Sequence, residues 1–145
     1  MKIKNGELLD TFECFVNPEK PIPQKVVEVT NITDDMVKDA PYFEQISAAL
    51  NVFIGNNLTI VGHNLPFDYR FITAVGDARP FIEKRKFFDT LEIARREYDF
   101  PKYTLDYLCK TVLKIVRNDS HSATSDALAA GFLFRDICNR RMNIE

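Results

Sequence analysis

The chain has 145 residues, of which 46% are apolar and 28% are charged, an ordinary balance for a folded domain. This length allows one domain with its own hydrophobic core, so we predict a single domain over residues 1–145. The formal net charge of −2 excludes a protein held on nucleic acid by an overall positive field. Any binding to nucleic acid therefore has to be local or mediated by cations.

The three cysteines, Cys14, Cys109 and Cys138, are widely spaced and odd in number. This pattern indicates neither a disulfide framework nor a zinc site, and it favours buried thiols in a reducing compartment. The sequence also has no signal peptide, no apolar run of membrane-spanning length and no lipidation motif. We therefore expect a soluble, cytoplasmic protein without a membrane partner.

The first part of the chain predicts a hairpin followed by a loop and helices. Asn5-Gly6 favours a tight turn between a strand remnant at 1–4 and a strand over 8–16. Asn17-Pro18 and the prolines that follow it predict an extended loop. Thr33 is a good helix N-cap, and a longer helix is predicted from about Pro41, with one apolar face that we expect to be buried.

The second part of the chain alternates between strand and helix patterns. Short strands are predicted at 58–61 and 86–88, each followed by a helix. Thr104 is expected to cap a further helix, and the last helix is expected from near Ser122 towards Arg141. A hairpin followed by alternating strands and helices predicts a mixed α/β sheet.

Two short segments carry residues suited to chemistry. His63-Asn64-x-x-Phe67-Asp68 follows the end of an apolar strand, the edge at which open α/β sheets bind ligands. The second segment is His121-Ser122-Ala123-Thr124-Ser125-Asp126, where a helix begins and its dipole favours an ionised carboxylate. Taken separately, each segment is weak evidence, because such residues are more often turn formers, helix caps or solvated surface residues.

In combination these segments resemble the DEDDh, or DnaQ-like, 3′–5′ exonucleases, the class of the proofreading epsilon subunit of bacterial DNA polymerase III. The resemblance covers essentially the whole chain. It also includes five further segments: Lys4-Asn5-Gly6-Glu7, Phe15-Val16-Asn17-Pro18, Ile32-Thr33-Asp34-Asp35-Met36-Val37, Asp89-Thr90-Leu91 and Tyr103-Thr104-Leu105. It implies a ribonuclease-H-like mixed sheet flanked by helices and a metal-dependent enzyme that hydrolyses DNA from its 3′ end.

The resemblance also implies roles for individual residues. Asp68 and Asp126 are expected to be ligands of Mg²⁺ or Mn²⁺ in a two-metal site, since hard cations prefer oxygen ligands. His121 is expected to be the general base that takes a proton from the attacking water. The pocket for the 3′-terminal nucleotide is expected to be lined by Thr30, Asn31, Ile32, His63, Asn64 and Phe67. Asn31 replaces the usual glycine, and asparagine tolerates the left-handed backbone that glycine adopts.

The family's first motif, Asp-x-Glu on the opening strand, is absent from this sequence. We therefore expect a sheet that lacks the first strand and most of the second, with weak metal binding and incomplete catalysis. Glu7, Asp10 and Glu13 are poor replacements because none is predicted at the carboxyl end of a central strand. A truncated gene, a mis-assigned start codon and a rearranged sheet would each account for the absence, with the first two favoured.

The alternative to an exonuclease is a non-catalytic nucleic-acid-binding or scaffold protein, or an unstable remnant, of the same fold. The expected partners are the 3′ end of single-stranded DNA and a DNA polymerase subunit. The sequence does not decide whether the substrate is DNA or short RNA, because selection for the 2′-hydroxyl depends on pocket shape. It also does not decide between a role in replication and a role in repair.

Overall fold

The computed structural model describes residues 1–55, 59–75, 85–118 and 122–142. The strands in these ranges are β1 (Lys2–Lys4), β2 (Glu7–Asp10), β3 (Thr59–Gly62) and β4 (Lys86–Asp89). The helices are α1 (Gln24–Thr30), α2 (Asp34–Val37), α3 (Phe43–Ile54), α4 (Leu65–Val75), α5 (Thr90–Glu97), α6 (Leu105–Leu108), which continues into a π-helical turn (Cys109–Leu113), and α7 (Ala123–Arg141).

Strands β1 and β2 form the predicted antiparallel hairpin. Ile3 pairs with Leu8 and Lys4 with Glu7, around Asn5 and Gly6, whose φ angles are 53° and 84°. Two positive φ angles in a row are what a two-residue type I′ turn requires. The strand prediction over 8–16 is wrong beyond β2, since residues 11–18 have no regular structure. An extended segment without a hydrogen-bonded neighbour gains little stability in water, which accounts for the early end of β2.

Strands β3 and β4 form a parallel pair connected through α4. Thr59 is opposite Lys86 and Gly62 is opposite Asp89, so the two carboxyl ends meet at one edge. In the described part of the chain, this pair and the hairpin are separate two-stranded sheets. The predicted mixture of helix and sheet is therefore confirmed, while one continuous mixed sheet is not formed among these residues.

The helices in the first third of the chain differ from the predictions. Residues 24–30 form α1, a helix that was not predicted from the sequence. Helix α3 begins at Phe43 rather than near Pro41, and Tyr42 donates its backbone N–H to Gln45 Oε1 at 2.7 Å. No residue of α3 is fully buried, so its apolar face is only half-buried, contrary to the prediction.

The buried core lies among the helices of the second half of the chain. Its members are apolar residues of α5, α6, the π-helical turn and α7, namely Ala94, Leu108, Val112, Leu133 and Ile137. Leu108 and Leu133 are both 0% exposed. This core fixes α7 against α6. Helix α7 also contacts β3, which sets the beginning of α7 relative to the carboxyl end of that strand.

The cysteines are all free, but only Cys109 is fully buried. Cys138 is half-buried and Cys14 is exposed, so the expectation of buried thiols is wrong for Cys14. Among the described helices, none combines the length and the apolar character needed to cross a membrane.

Candidate active site

A cavity of about 990 Å³ lies at the carboxyl end of β3 and beside the beginning of α7. Both predicted metal ligands, Asp68 and Asp126, line this cavity. Of the six residues expected to line the nucleotide pocket, five are also in its wall: Thr30, Ile32, His63, Asn64 and Phe67. His121, the expected general base, lies outside the described residues.

Asn31 is not in the cavity wall, although both of its neighbours are. It ends α1 in the left-handed conformation, with φ 58° and ψ 16°, and its N–H donates to the Val27 carbonyl. Glycine is the usual residue at such a helix end because it has no Cβ, and asparagine is the next best. The backbone of this asparagine therefore turns the chain so that Thr30 and Ile32 both reach the cavity.

The turn between β3 and α4 is held by a carboxylate from the neighbouring strand. Asp89 accepts hydrogen bonds from the backbone N–H groups of Asn64 at 2.8 Å and Leu65 at 3.1 Å. It also caps α5 by accepting from the N–H of Leu91 at 2.9 Å. In the sequence, Asp89 was named only within the segment Asp89-Thr90-Leu91 that resembles the family. Its contact with the turn is formed by the parallel pairing of β3 with β4.

His63 is a wall residue whose two ring nitrogens both contact protein atoms. Nε2 lies 3.0 Å from the Tyr103 carbonyl oxygen, to which it donates, and Nδ1 lies 3.0 Å from Thr90 Oγ1. Thr90 is completely buried. Burial is the main cause that lowers the pKa of His63, and it outweighs the opposite effect of the nearby Asp89 charge. The His63 ring therefore joins β3 to the segment before α6, in surroundings that disfavour its charged form.

Asp68 lies in the first turn of α4, and its pKa is raised from its ordinary value. Partial burial of its carboxyl group is the main cause, and the negative charges of Asp89 and Asp126 act in the same direction. The residue as a whole is exposed. Because the residue is exposed, water screens part of this effect.

Asp126 lies in the first turn of α7 and forms an ion pair with Arg117. The Arg117 side chain is only 6% exposed, and it also bonds Asp106 Oδ1 at 3.0 Å. Arg117, Arg95 and Lys102 all line the cavity. The sequence reasoning missed these three cations because no spacing or motif marks them.

Carboxylate oxygens are the donors that Mg²⁺ and Mn²⁺ prefer, so Asp68 and Asp126 have the right chemistry for such an ion. The charge of Asp126 also raises the pKa of Asp68, as expected for like charges that face one space. Within the described ranges, however, no group of three or more histidine, cysteine, aspartate or glutamate side chains could hold a metal ion. The described residues thus fit a divalent cation in ligand type and fall short of it in ligand number.

Comparisons with known proteins agree with one another. The RNase_T family model, described as Exonuclease, matches residues 1–134. The chain is 38% identical to the PolC-type DNA polymerase III of Bacillus cereus over 138 residues, which cover 92% of this chain and 9% of that protein. It is 37% identical to the same kind of protein from Oceanobacillus iheyensis over 148 residues, covering 100% of this chain and 10% of that protein. The chain thus spans about a tenth of the length of these relatives.

The fold is similar to that of a solved structure described as Exonuclease X in complex with 5′ overhanging duplex DNA. The TM-score is 0.72, with 24% sequence identity, and the match covers 96% of this chain and 79% of the other. This likeness supports the ribonuclease-H-like α/β fold. Since the family model covers nearly the whole sequence and the relatives exceed 30% identity, the chain belongs to the DnaQ-like exonuclease family.

Proposed function

We propose that this chain is a metal-dependent 3′–5′ exonuclease domain that acts on the 3′ end of DNA. The observation that supports this function best is that one cavity collects Asp68, Asp126 and five of the six residues expected to contact the nucleotide. The resemblance of the chain to PolC-type DNA polymerase III favours DNA over RNA and makes a DNA polymerase the expected partner.

The cavity wall has groups suited to each part of a nucleotide. Phe67 is 57% exposed and presents a flat aromatic face on which a base can stack. Arg95 and Lys102 are exposed cations in the same wall, and we assign them to the phosphates of the strand. These local positive charges would allow a chain of net charge −2 to bind a polyanion.

Hydrolysis breaks the bond between phosphorus and the leaving 3′ oxygen and requires a deprotonated water. Two divalent cations, when bound, supply positive charge that favours both the departure of the 3′ oxygen and the deprotonation of the water. We assign Asp68 and Asp126 to holding these cations and His121 to removing the proton from water. Because Asp68 and Asp126 are two carboxylates where the family uses four, we expect weak metal binding and little hydrolysis from this chain by itself.

The test is incubation of the chain with single-stranded DNA labelled at its 3′ or its 5′ end, in Mn²⁺ or in EDTA. We expect slow, Mn²⁺-dependent release of the 3′ label as a mononucleotide, and loss of that release in Asp126→Asn. Asp35→Asn is the matched control, since this aspartate is 90% exposed and pairs with Lys38 on the surface. Robust, Asp126-dependent degradation would contradict incomplete catalysis, and release from the 5′ end would contradict the direction.

A non-catalytic DNA-binding or scaffold domain of the same fold is the second candidate. It is favoured by the pairing of Asp126 with Arg117, which occupies the carboxylate with a protein cation. This candidate predicts DNA binding without hydrolysis after long incubation in Mn²⁺. It also predicts that Asp126→Asn leaves the affinity for DNA unchanged.

A further inference from the structure

Arg117 is a buried cation held between two carboxylates at the edge of the cavity. Its side chain is 6% exposed, whereas those of Asp106 and Asp126 are 50% and 40% exposed. One end of the guanidinium, Nη1, donates to Asp106 Oδ1 at 3.0 Å. The other, Nη2, donates to Asp126 Oδ1 and, at 3.1 Å, to Ser125 Oγ. A buried charge is stable only when it is paired in this way.

The three side chains belong to different parts of the fold. Asp106 lies in α6, Asp126 lies in the first turn of α7, and Arg117 lies in the segment between these helices. Nε of Arg117 is buried and has no hydrogen-bond partner among the described residues. The guanidinium is thus held through its two terminal nitrogens alone, one on each carboxylate. Such a cation can lose one partner and keep the other.

The Asp126 carboxylate is also the group assigned above to a divalent cation. The guanidinium of Arg117 and a divalent cation would then share this one carboxylate, whose Oδ1 already accepts from Nη2 of Arg117. The positive charge of Arg117 would repel a divalent cation bound to Asp126. A fixed positive charge beside a metal site lowers the affinity of that site for cations.

We propose that Arg117 is the internal counter-ion of Asp126 and competes with the divalent cation for this carboxylate. When the cation binds, Asp106 retains the guanidinium. This inference rests on the proposed function, because it takes Asp126 to be the residue that receives the cation. It makes Arg117 a residue that sets metal affinity rather than a catalytic residue.

The test is a Mn²⁺ titration of the 145-residue chain, with free Mn²⁺ measured by electron paramagnetic resonance. We expect Arg117→Met to bind Mn²⁺ more tightly than the unmodified chain, on the order of tenfold, as for removal of a unit charge about 5 Å from a divalent ion even in water. Arg117→Lys keeps the positive charge and is expected to remain close to the unmodified chain. Arg96→Gln is the matched control, since Arg96 pairs with Glu92 on the surface of α5.

The results separate this inference from the function on which it rests. Mn²⁺ binding that depends on Asp126 but does not tighten in Arg117→Met would overturn the competition alone. Equal tightening in Arg117→Lys would also overturn it, because charge would not be the cause. If neither the unmodified chain nor any variant binds Mn²⁺, the proposed metal site fails and the inference with it.

Asp106→Asn provides a second arm in case Arg117→Met does not fold. Without the Asp106 charge the guanidinium has one carboxylate left, so we expect it to stay on Asp126 and to weaken Mn²⁺ binding. An unchanged affinity in Asp106→Asn would contradict the proposal. If Arg117→Met folds, the double variant tests whether Asp106 acts through Arg117: the effect of Asp106→Asn should then be much smaller in the Arg117→Met background.

Discussion

Asp89 accepts a hydrogen bond from the backbone N–H of Asn64 at 2.8 Å, although 25 residues separate the two in the sequence. Asn64 has a φ of 66°, a left-handed conformation that requires support from its surroundings. The carboxylate of Asp89 provides that support from the end of the neighbouring strand. The same turn leads into the helix that carries Phe67 and Asp68, so this one contact helps to position both residues.

The first prediction concerns Asp89. We expect Asp89→Ala to lower the free energy of unfolding by about 2 kcal/mol, because charged hydrogen bonds to several backbone amides are lost together. Urea melts measure this change. Asp35→Asn, an exposed aspartate, should stay within about 0.5 kcal/mol of the unmodified chain. Equal stability of Asp89→Ala and the unmodified chain would mean that the turn does not depend on this carboxylate.

The second prediction concerns pH and His63. Its pKa in the folded chain lies below the ordinary value of 6.5, mainly because the ring is buried. The unfolded chain therefore binds this proton more readily, and stability falls as the pH drops below 6.5 towards the lowered pKa. Urea melts at pH 7.5, 6.5 and 5.5 should show this loss, and His63→Gln should flatten it. A chain that is as stable at pH 5.5 as at pH 7.5 would contradict the prediction.

The third prediction concerns the cost of keeping Asp68 ionised. The pKa of Asp68 in the folded chain is raised above its ordinary value of 3.8. The protonated side chain therefore stabilises the fold below pH 3.8, and this stabilisation is lost as the pH rises through the raised pKa. At pH 7 without divalent cations, Asp68→Asn should therefore be slightly more stable than the unmodified chain, by about 0.5 kcal/mol or less because solvent screens an exposed residue.

The companion measurement adds Mn²⁺ to both proteins. The unmodified chain should gain stability as the cation binds its folded form, and Asp68→Asn should gain less. Lower stability of Asp68→Asn without a cation would show instead that the carboxylate stabilises the fold.

The fourth prediction concerns Phe67 as a platform for a DNA base. Phe67 and Phe71 are 57% and 60% exposed, with ring centroids 4.9 Å apart, but Phe67 alone of the two lines the cavity. We expect Phe67→Ala to weaken the binding of single-stranded DNA by about 1–3 kcal/mol, the usual value of one stacked base. Fluorescence anisotropy with Ca²⁺ in place of Mn²⁺ measures this. Phe71→Ala is the matched control, and an equal loss in both variants would contradict a specific role for Phe67.

The fifth prediction concerns the core that holds α7. Leu133 is 0% exposed, and Leu133→Ala should cost about 2–5 kcal/mol because it removes buried methyl groups and leaves a cavity. Val52, which is 81% exposed, provides the control, and Val52→Ala should change stability by less than about 0.5 kcal/mol. Similar urea midpoints for both variants would mean that the core does not depend on α7.

Local sequence determined the features of this chain that depend on neighbouring residues. Asn5-Gly6 specified the hairpin because both positions need a positive φ, and the capping residue Thr104 marked the start of α6 in the same way. Helix α1 was missed because Val26, Val27 and Val29 favour strands by their branching, so its helical state had to come from context.

The tertiary structure decided the contacts between residues that are distant in the sequence. Asp89 reaches Asn64 only because β3 and β4 pair in parallel, and Arg117 reaches Asp126 only because the core holds α6 and α7 together. No periodicity in a sequence indicates which distant residues will meet in the fold. The candidate ligands could therefore be proposed from motifs, but the residues that support them could not. The sequence by itself thus named Asp68 and Asp126, and the fold determined which charges surround them.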